Sequence, residues 1–255
     1  MDAQTLIDRL NDELQIENFA ESDPSENGLQ VGTHDGYADR VAFAVDAAVE
    51  TIEAAADRDA DLLVVHHGLS WNGIDRITGR AYDRIAKLIE HDLDLYAAHI
   101  PLDSHPELGN AAGLGNLLDL TDRQPFGEYH GEYVGQRGRL LTPLDSAEIE
   151  LLLDRQLDHD GEGVQVLDFG PNALDEVAIV TGRGPEWLDE AVEVGADAFI
   201  TGEGVGELYH QAKESGITVF LPGHYATETF GVRALAELVD GWGPTTTVID
   251  APTGL

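Results

Sequence analysis

The 255-residue chain contains no cysteine. Disulfides, thiolate metal sites and cysteine nucleophiles are therefore excluded, and a bound metal ion would be held by His, Asp, Glu or water. No apolar run approaches the roughly 18 residues of a membrane helix, and no basic segment precedes an apolar one at the N-terminus, so we expect neither a signal peptide nor a membrane partner. The absence of cysteine is typical of the cytoplasm, which is the expected location.

Basic residues are also scarce. The chain has 14 Lys and Arg against 49 Asp and Glu, only Lys87 and Lys213 are lysines, and the formal net charge is −35 at pH 7. This charge argues against nucleic acid as a partner. The carboxylates are spread along the whole chain, and salt would screen their repulsion because the Debye length falls to about 3 Å at 1 M. We interpret the composition as halophilic, with an acidic mesophilic protein as the alternative.

Apolar segments of strand length alternate with amphipathic segments of helix length. The predicted strands are 41–45, 61–65, 93–99, 164–169, 177–180, 198–200 and 218–221. The predicted helices are 5–14, 47–56, 82–90, 146–157, 185–194, 207–214 and 229–239. This alternation predicts an α/β fold with mostly parallel sheets covered by helices.

A stretch rich in glycine and polar residues, 123–138, interrupts the alternation. We place a domain boundary there, which gives a first α/β lobe at 1–122 and a second at 123–255. In the alternative arrangement, the C-terminal helix packs back on the first lobe.

Polar side chains follow several predicted strands, where ligands bind in open α/β sheets. His66 and His67 end one strand, and the next runs into His99 and Asp103. These residue types can hold metal ions. The alternatives are that one of the paired histidines is an ordinary loop residue and that Asp103 caps a helix or turn.

Two further strand ends carry candidate groups. His224 and Glu228 follow the strand at 218–221, and their spacing of four puts both on one face of a helix; the alternative is an ordinary polar helix start. The turn at 181–185 contains two glycines and Arg183 and could present N–H groups to phosphate, or it is a tight turn without a ligand. Together the strand ends supply the histidines and carboxylates that a two-metal site without cysteine requires.

The other histidines are less well placed. Five lie in polar or loop-like segments and are expected to be solvated: His34, His91, His105, His130 and His159. His210 lies on a predicted helix soon after the strand end at Thr201–Glu203, so it is a candidate for a supporting role at the site.

Five motifs, in order along nearly the whole chain, resemble the Nif3-like dinuclear metal centre proteins, which are also known as GTP cyclohydrolase 1 type 2 homologues. The motifs are Glu26–Gly32, Val65–His67, Tyr96–His99 with Leu102 and Asp103, Thr201–Glu203, and Gly223–Glu228. The resemblance implies two similar α/β lobes with a metal site between them, and a ring-shaped homohexamer. It also implies two divalent ions per chain, with Zn, Mn or Fe as candidates, and Glu228 bridging them. The implied ligands are His66, His67, Asp103, His224 and Glu228.

The resemblance suggests hydrolysis of a nucleotide, most specifically opening of the guanine ring of GTP. A hydroxide held by the metal ions would attack C8, formate would be released, and Glu203 or His210 would relay protons. The same ions would suit hydrolysis of a phosphate ester, which is one alternative. A metal-dependent assembly or regulatory protein without enzymatic activity is the other.

Overall fold

The structure is a computed structural model that describes residues 1–33, 36–74 and 76–255. Its strands are β1 Gly28–Val31, β2 Arg40–Asp46, β3 Leu62–His67, β4 Asp94–Ala97, β5 Leu120–Tyr129, β6 Glu132–Leu144, β7 Gln165–Leu167, β8 Leu174–Ile179, β9 Ala198–Ile200, β10 Thr218–Leu221 and β11 Thr245–Val248. Its α-helices are α1 Ala3–Leu14, α2 Val49–Ala56, α3 Arg80–Glu90, α4 Ile100–Asp103, α5 Asn110–Leu117, α6 Ser146–Gln156, α7 Leu188–Glu193, α8 Leu208–Ser215, α9 His224–Thr227 and α10 Thr229–Asp240. Turns of 3-10 helix span Ile16–Phe19 and Pro185–Trp187. Within the described ranges, no helix combines the length and apolar character needed to span a bilayer.

The chain forms two compact units. Unit 1 comprises Met1–His105 and Gly231–Ala251, and unit 2 comprises Pro106–Phe230 and Pro252–Leu255. Residues 106–122, which we expected in the first lobe, belong to unit 2. Most of helix α10 belongs to unit 1.

Unit 1 contains a five-stranded sheet in the order β1-β4-β3-β2-β11. Strands β11, β2, β3 and β4 are parallel, and only β1 pairs antiparallel with its neighbour. The apolar stretches 41–45 and 62–65 are buried throughout, as expected of strands covered on both faces. Helices α2 and α3 pack beside each other, and they contact β2 and β4 respectively. The predicted parallel sheet is confirmed in this unit.

Unit 2 contains a six-stranded sheet in the order β5-β6-β8-β9-β10-β7. Strands β8, β9 and β10 are parallel, but the remaining neighbours pair antiparallel. The α/β class is confirmed, whereas the expectation of a mostly parallel sheet is wrong for this unit. The difference arises chiefly from the glycine-rich stretch 123–138, which forms most of a long hairpin of β5 and β6 and not a linker.

Local backbone chemistry explains the hairpin. His130 and Gly131 connect β5 to β6 with φ values of 52° and 92°, and positive φ at two successive residues is characteristic of the tight turns that join antiparallel strands. Gly135 lies where β6 meets β8, and a Cβ there would approach the carbonyl oxygen of Ile179 to 2.1 Å. The glycines therefore serve strand pairing and close packing at these positions.

Candidate metal centre

Three histidines come together at the carboxyl ends of β3 and β4 in unit 1. His66 and His67 are the last residues of β3, and His99 lies two residues beyond the end of β4. The two strands are parallel neighbours with Val65 opposite Ala97, so their carboxyl ends lie at the same edge of the sheet. The register brings His99 beside the two histidines of β3.

The imidazole rings of these residues form a compact group, which we call the imidazole cluster (His66, His67 and His99). Their ring centroids are separated by 4.6 Å for His66 and His67, 5.1 Å for His66 and His99, and 5.7 Å for His67 and His99. One ring nitrogen of each lies within 4.8 Å of those of the other two. Three nitrogen donors at this spacing suit a borderline divalent cation such as Zn or Fe better than Mg or Ca, which prefer oxygen.

Each imidazole is oriented through its Nδ1 atom by an oxygen at 2.9 Å. The acceptors are the carbonyl oxygen of Ala98 for His66, Oδ1 of Asp46 for His67, and Oδ1 of Asp23 for His99. An Nδ1–H donated to a carbonyl or carboxylate fixes the tautomer in which Nε2 is the ligand atom, and this pattern is typical of metal-binding histidines.

Asp103 also lies near the imidazole cluster. It ends the short helix α4, and its Oδ2 is 3.5 Å from Nε2 of the buried His66. The main-chain N–H of Asp103 donates to the carbonyl oxygen of His99. The turn that follows β4 therefore brings this carboxylate back toward the imidazole rings.

A buried carboxylate, Asp23, holds this turn. One of its oxygens accepts from the N–H of Ile100 at 2.9 Å and from the side chain of Asn27 at 2.8 Å. Asn27 in turn accepts from the N–H of His99 at 2.8 Å. Burial raises the pKa of Asp23, but hydrogen bonds and the charge of His99 outweigh burial and leave the pKa below its ordinary value. Asp23 thus stays ionised and fixes His99 from both its ring and its main chain.

Unit 2 brings together His224, Glu228 and Glu203. Nε2 of His224 is 3.2 Å from Oε2 of Glu228, and Nδ1 of His224 is 3.5 Å from Oε1 of Glu203. Burial lowers the pKa of His224, but the two carboxylates outweigh it and raise the pKa to about 9. A cation that takes His224 as a ligand must therefore displace a proton.

The turn after β8 makes room for the buried carboxylate of Glu228. Gly182 has a φ of 60°, and a Cβ at this position would lie 2.1 Å from Oε1 of Glu228. Its N–H donates to Oγ1 of Thr227 at 3.0 Å, so it supports the segment that carries Glu228. Arg183, the other residue considered for phosphate binding here, is exposed.

The two proposed catalytic residues differ in position. Glu203 is half-buried beside His224, three residues beyond the end of β9. His210 is exposed on α8, where its ring meets that of Tyr209 edge to face at 5.4 Å.

The histidines expected to be solvated have different outcomes. His91 and His130 are exposed, as predicted, whereas His34 lies outside the described residues. His159 is buried, so the prediction is wrong for it; Nδ1 pairs with the carbonyl oxygen of Pro222. His105 is also largely buried, with 15% of its side chain exposed, and lies 3.6 Å from Glu13.

Four residues that support or contact the imidazole cluster were not predicted from the sequence: Asp23, Asn27, Asp46 and Trp71. Asn27 lies within the motif Glu26–Gly32, which could have been recognised as support for His99. The chain separates Asp23 and Asn27 from His99 by 76 and 72 residues, and no local pattern reports such a contact. Trp71 lies against the imidazole cluster, with its ring centroid 5.0 Å from that of His99.

Comparisons with known proteins show similarity to one family over nearly the whole chain. The family model Duf34/NIF3 (NGG1p interacting factor 3) matches residues 1–251. A protein of Halobacterium salinarum named GTP cyclohydrolase 1 type 2 homolog is 52% identical, and the alignment covers 100% of both chains. The solved structure of protein ybgI, described as of unknown function, has a TM-score of 0.91 at 34% identity, and TTHA1606 from Thermus thermophilus has 0.89 at 36%. Both structural alignments also cover 100% of each chain.

Proposed function

The chain belongs to the Duf34/NIF3 family, and we propose that it is a metal-dependent hydrolase that opens the guanine ring of GTP and releases formate. The proposed hydrolase holds two divalent ions, with Zn, Mn or Fe as candidates. The proposed ligands are His66, His67, Asp103, His224 and Glu228. His99 is a sixth candidate because it belongs to the imidazole cluster.

The imidazole cluster is the observation that supports this proposal. Its three rings offer nitrogen donors within 4.8 Å of one another, and an oxygen acceptor holds Nδ1 of each ring. Orientation of this kind reduces the reorganisation that ion binding would otherwise require. Histidines with a purely structural role would not require Nδ1 of every ring to be hydrogen-bonded to an oxygen.

Divalent ions held by these residues would lower the pKa of a coordinated water toward neutrality and polarise the substrate. Ring opening also requires protonation of the purine nitrogens that leave C8. We assign this transfer to Glu203 because its carboxylate contacts His224, and not to His210, which is exposed and lies against Tyr209.

The products distinguish this reaction from the alternatives. Removal of C8 consumes two waters, breaks both C8–N bonds and yields formate, whereas hydrolysis of a phosphate ester yields inorganic phosphate. Metal-loaded protein is incubated with GTP in molar KCl from about pH 6 to about pH 9, and formate, phosphate and guanine absorbance are measured. We expect formate with loss of the guanine absorbance.

His67→Ala and Asp103→Ala are expected to abolish formate release, because each removes a proposed ligand. His91→Ala removes an exposed histidine elsewhere and should behave as the wild type. Release of phosphate without formate would contradict ring opening and support phosphoester hydrolysis. If neither product forms, both hydrolase hypotheses are wrong, and the metal-dependent assembly role is favoured.

A further inference from the structure

A cavity of about 820 Å³ lies in unit 1 between the segment that follows β3 and the first half of α3. Its lining includes the apolar side chains of Trp71, Ile74 and Ile85 and three arginines, Arg76, Arg80 and Arg84. Its volume is within the range of small-molecule sites.

The arginines are exceptional in this chain. Only 14 of its 255 residues are basic, against 49 acidic ones, yet three of the 14 line this one cavity. Lys87 follows on the same helix, and the sequence from 69 to 87 has four basic residues against two acidic ones, Asp75 and Asp83. A local excess of positive charge therefore stands out in a molecule of charge −35.

In the described residues, four of the other Lys and Arg side chains have a carboxylate partner: Arg40, Lys87, Arg139 and Arg233. Lys87 pairs with Glu53 at 3.0 Å, and both Arg139 and Arg233 contact aspartates. In the part of the chain that the structure describes, Arg76, Arg80 and Arg84 form no such ion pair. The guanidinium groups of these three arginines are therefore available to bind an anionic ligand.

The arrangement carries an electrostatic cost that an anion would relieve. Arg80 and Arg84 are four residues apart on α3, and like charges at this spacing destabilise a helix. Arg80 is also the first residue of the helix, where the macrodipole disfavours cations. Guanidinium groups bind phosphate through paired, charge-assisted hydrogen bonds.

Trp71 connects this cavity with the imidazole cluster. Its ring centroid lies 6.0 Å from that of His67 and 5.0 Å from that of His99, and 41% of the residue is exposed. The indole N–H donates to the carbonyl oxygen of Gly68 at 3.2 Å, which fixes the ring. An exposed, oriented indole beside a cationic cavity can stack on the planar ring of a nucleobase.

We propose that the arginine cavity binds the phosphate groups of a nucleotide and that Trp71 stacks on its base. This inference rests on the proposed function, which supplies the reason for a nucleotide near the metal centre. It also gives the substrate a direction, with the base toward the imidazole cluster and the phosphates toward α3. Such a direction favours chemistry on the base over hydrolysis of a phosphate ester.

The test compares binding of GTP, GMP, guanosine and ribose 5-phosphate to the full metal-loaded chain by calorimetry in molar KCl. Wild type should bind GTP most tightly, then GMP, then guanosine, because the phosphates add contacts with the arginines. The double variant Arg80→Gln, Arg84→Gln should weaken GTP binding about tenfold or more and leave guanosine binding unchanged. Trp71→Ala should weaken guanosine and GMP but not ribose 5-phosphate.

Arg155→Gln is the matched control, since Arg155 is exposed on α6 and loses the same charge. Thermal midpoint, metal content and assembly mass are compared with wild type to detect a structural effect. If the double variant does not fold, Arg76→Gln alone should still weaken GTP binding relative to guanosine, because Arg76 is exposed in the segment before α3.

If the folded arginine variants bind GTP as tightly as the wild type does, the proposed phosphate site is wrong. Ribose 5-phosphate binding as tightly as GMP would overturn stacking on Trp71. Failure of the proposed hydrolase reaction can be distinguished from failure of this site. If GMP binding depends on the arginines but no formate is released from GTP, the ring-opening reaction is rejected and the nucleotide site is retained.

Discussion

Single oxygen acceptors orient each imidazole of the imidazole cluster. Asp46, Asp23 and the carbonyl group of Ala98 hold the three Nδ1 atoms at 2.9 Å. None of these acceptors needs to touch a bound ion, yet each favours the tautomer in which Nε2 is the ligand atom. Metal affinity should therefore depend on residues outside the proposed ligand set.

Asp46→Ala is expected to lower metal affinity about 10- to 100-fold, because His67 loses the acceptor that orients it. The side chain of Asp46 is 40% exposed, so the free energy of unfolding should change little. Affinity is measured by competition with a chromophoric chelator, and Asp12→Ala, on the exposed face of α1, is the control. Equal affinity in wild type and Asp46→Ala would show that His67 is not positioned in this way.

Gly182→Ala tests whether the absence of a side chain at this position is needed to accommodate the Glu228 carboxylate. The methyl group would meet the Glu228 carboxylate and force a non-glycine residue to a φ of 60°. We expect a loss of stability of about 1–3 kcal/mol together with reduced metal content, measured by chemical denaturation and elemental analysis. Gly206→Ala, where nothing lies within 4 Å of the added atom, should change neither. Full metal content in a folded Gly182→Ala protein would argue against Glu228 as a ligand.

Local sequence could identify part of the candidate site but not its support. His66, His67 and Asp103 follow apolar runs, so the position of a buried strand predicts where these side chains emerge. Asp23 lies in an irregular loop, and its contact with His99 depends on how β1 and β4 pair. Contacts of that range arise from tertiary packing, which periodicity does not encode.

Regular elements were predictable where burial follows a simple period. The strand predicted at 61–65 and the helix predicted at 82–90 closely match β3 and α3. The hairpin of β5 and β6 was missed because its glycines and charged residues do not alternate clearly between apolar and polar. Its formation depends on the turn at His130 and Gly131 and on close packing against β8.

Neighbouring residues of α3 provide a test of its packing. Leu88 is 1% exposed and belongs to the core of unit 1, whereas Ile89 is 69% exposed. Leu88→Ala should therefore lower the free energy of unfolding by about 2–5 kcal/mol, and Ile89→Ala by less than about 0.5 kcal/mol. Denaturant titration in molar KCl measures both. Similar losses in the two variants would contradict the placement of this helix.

Across the whole molecule, the dominant property is the net charge of −35. Carboxylates occur throughout the chain, and their mutual repulsion opposes the compact state when little salt is present. At molar salt the Debye length shrinks to about 3 Å, so most of this repulsion is screened. We propose that the protein is adapted to high salt.

The thermal midpoint should accordingly rise steeply from dilute buffer to molar KCl. Each 1 kcal/mol of relieved repulsion would raise the midpoint by roughly 2–4 °C for a chain of this size class. Differential scanning fluorimetry over a KCl series measures the effect. A flat profile would contradict the halophilic interpretation and leave the scarcity of lysine unexplained.

Elemental analysis of the purified protein tests the proposed metal centre. We expect about two divalent ions per chain, because His and carboxylate ligands in this number suit a two-metal site. Metal content should fall sharply in Glu228→Ala, since the family resemblance assigns this carboxylate to both ions, and should stay at the wild-type level in His91→Ala, which removes an exposed histidine. Wild-type protein without bound metal after incubation with Zn, Mn and Fe, or Glu228→Ala with its full complement, would contradict the assignment.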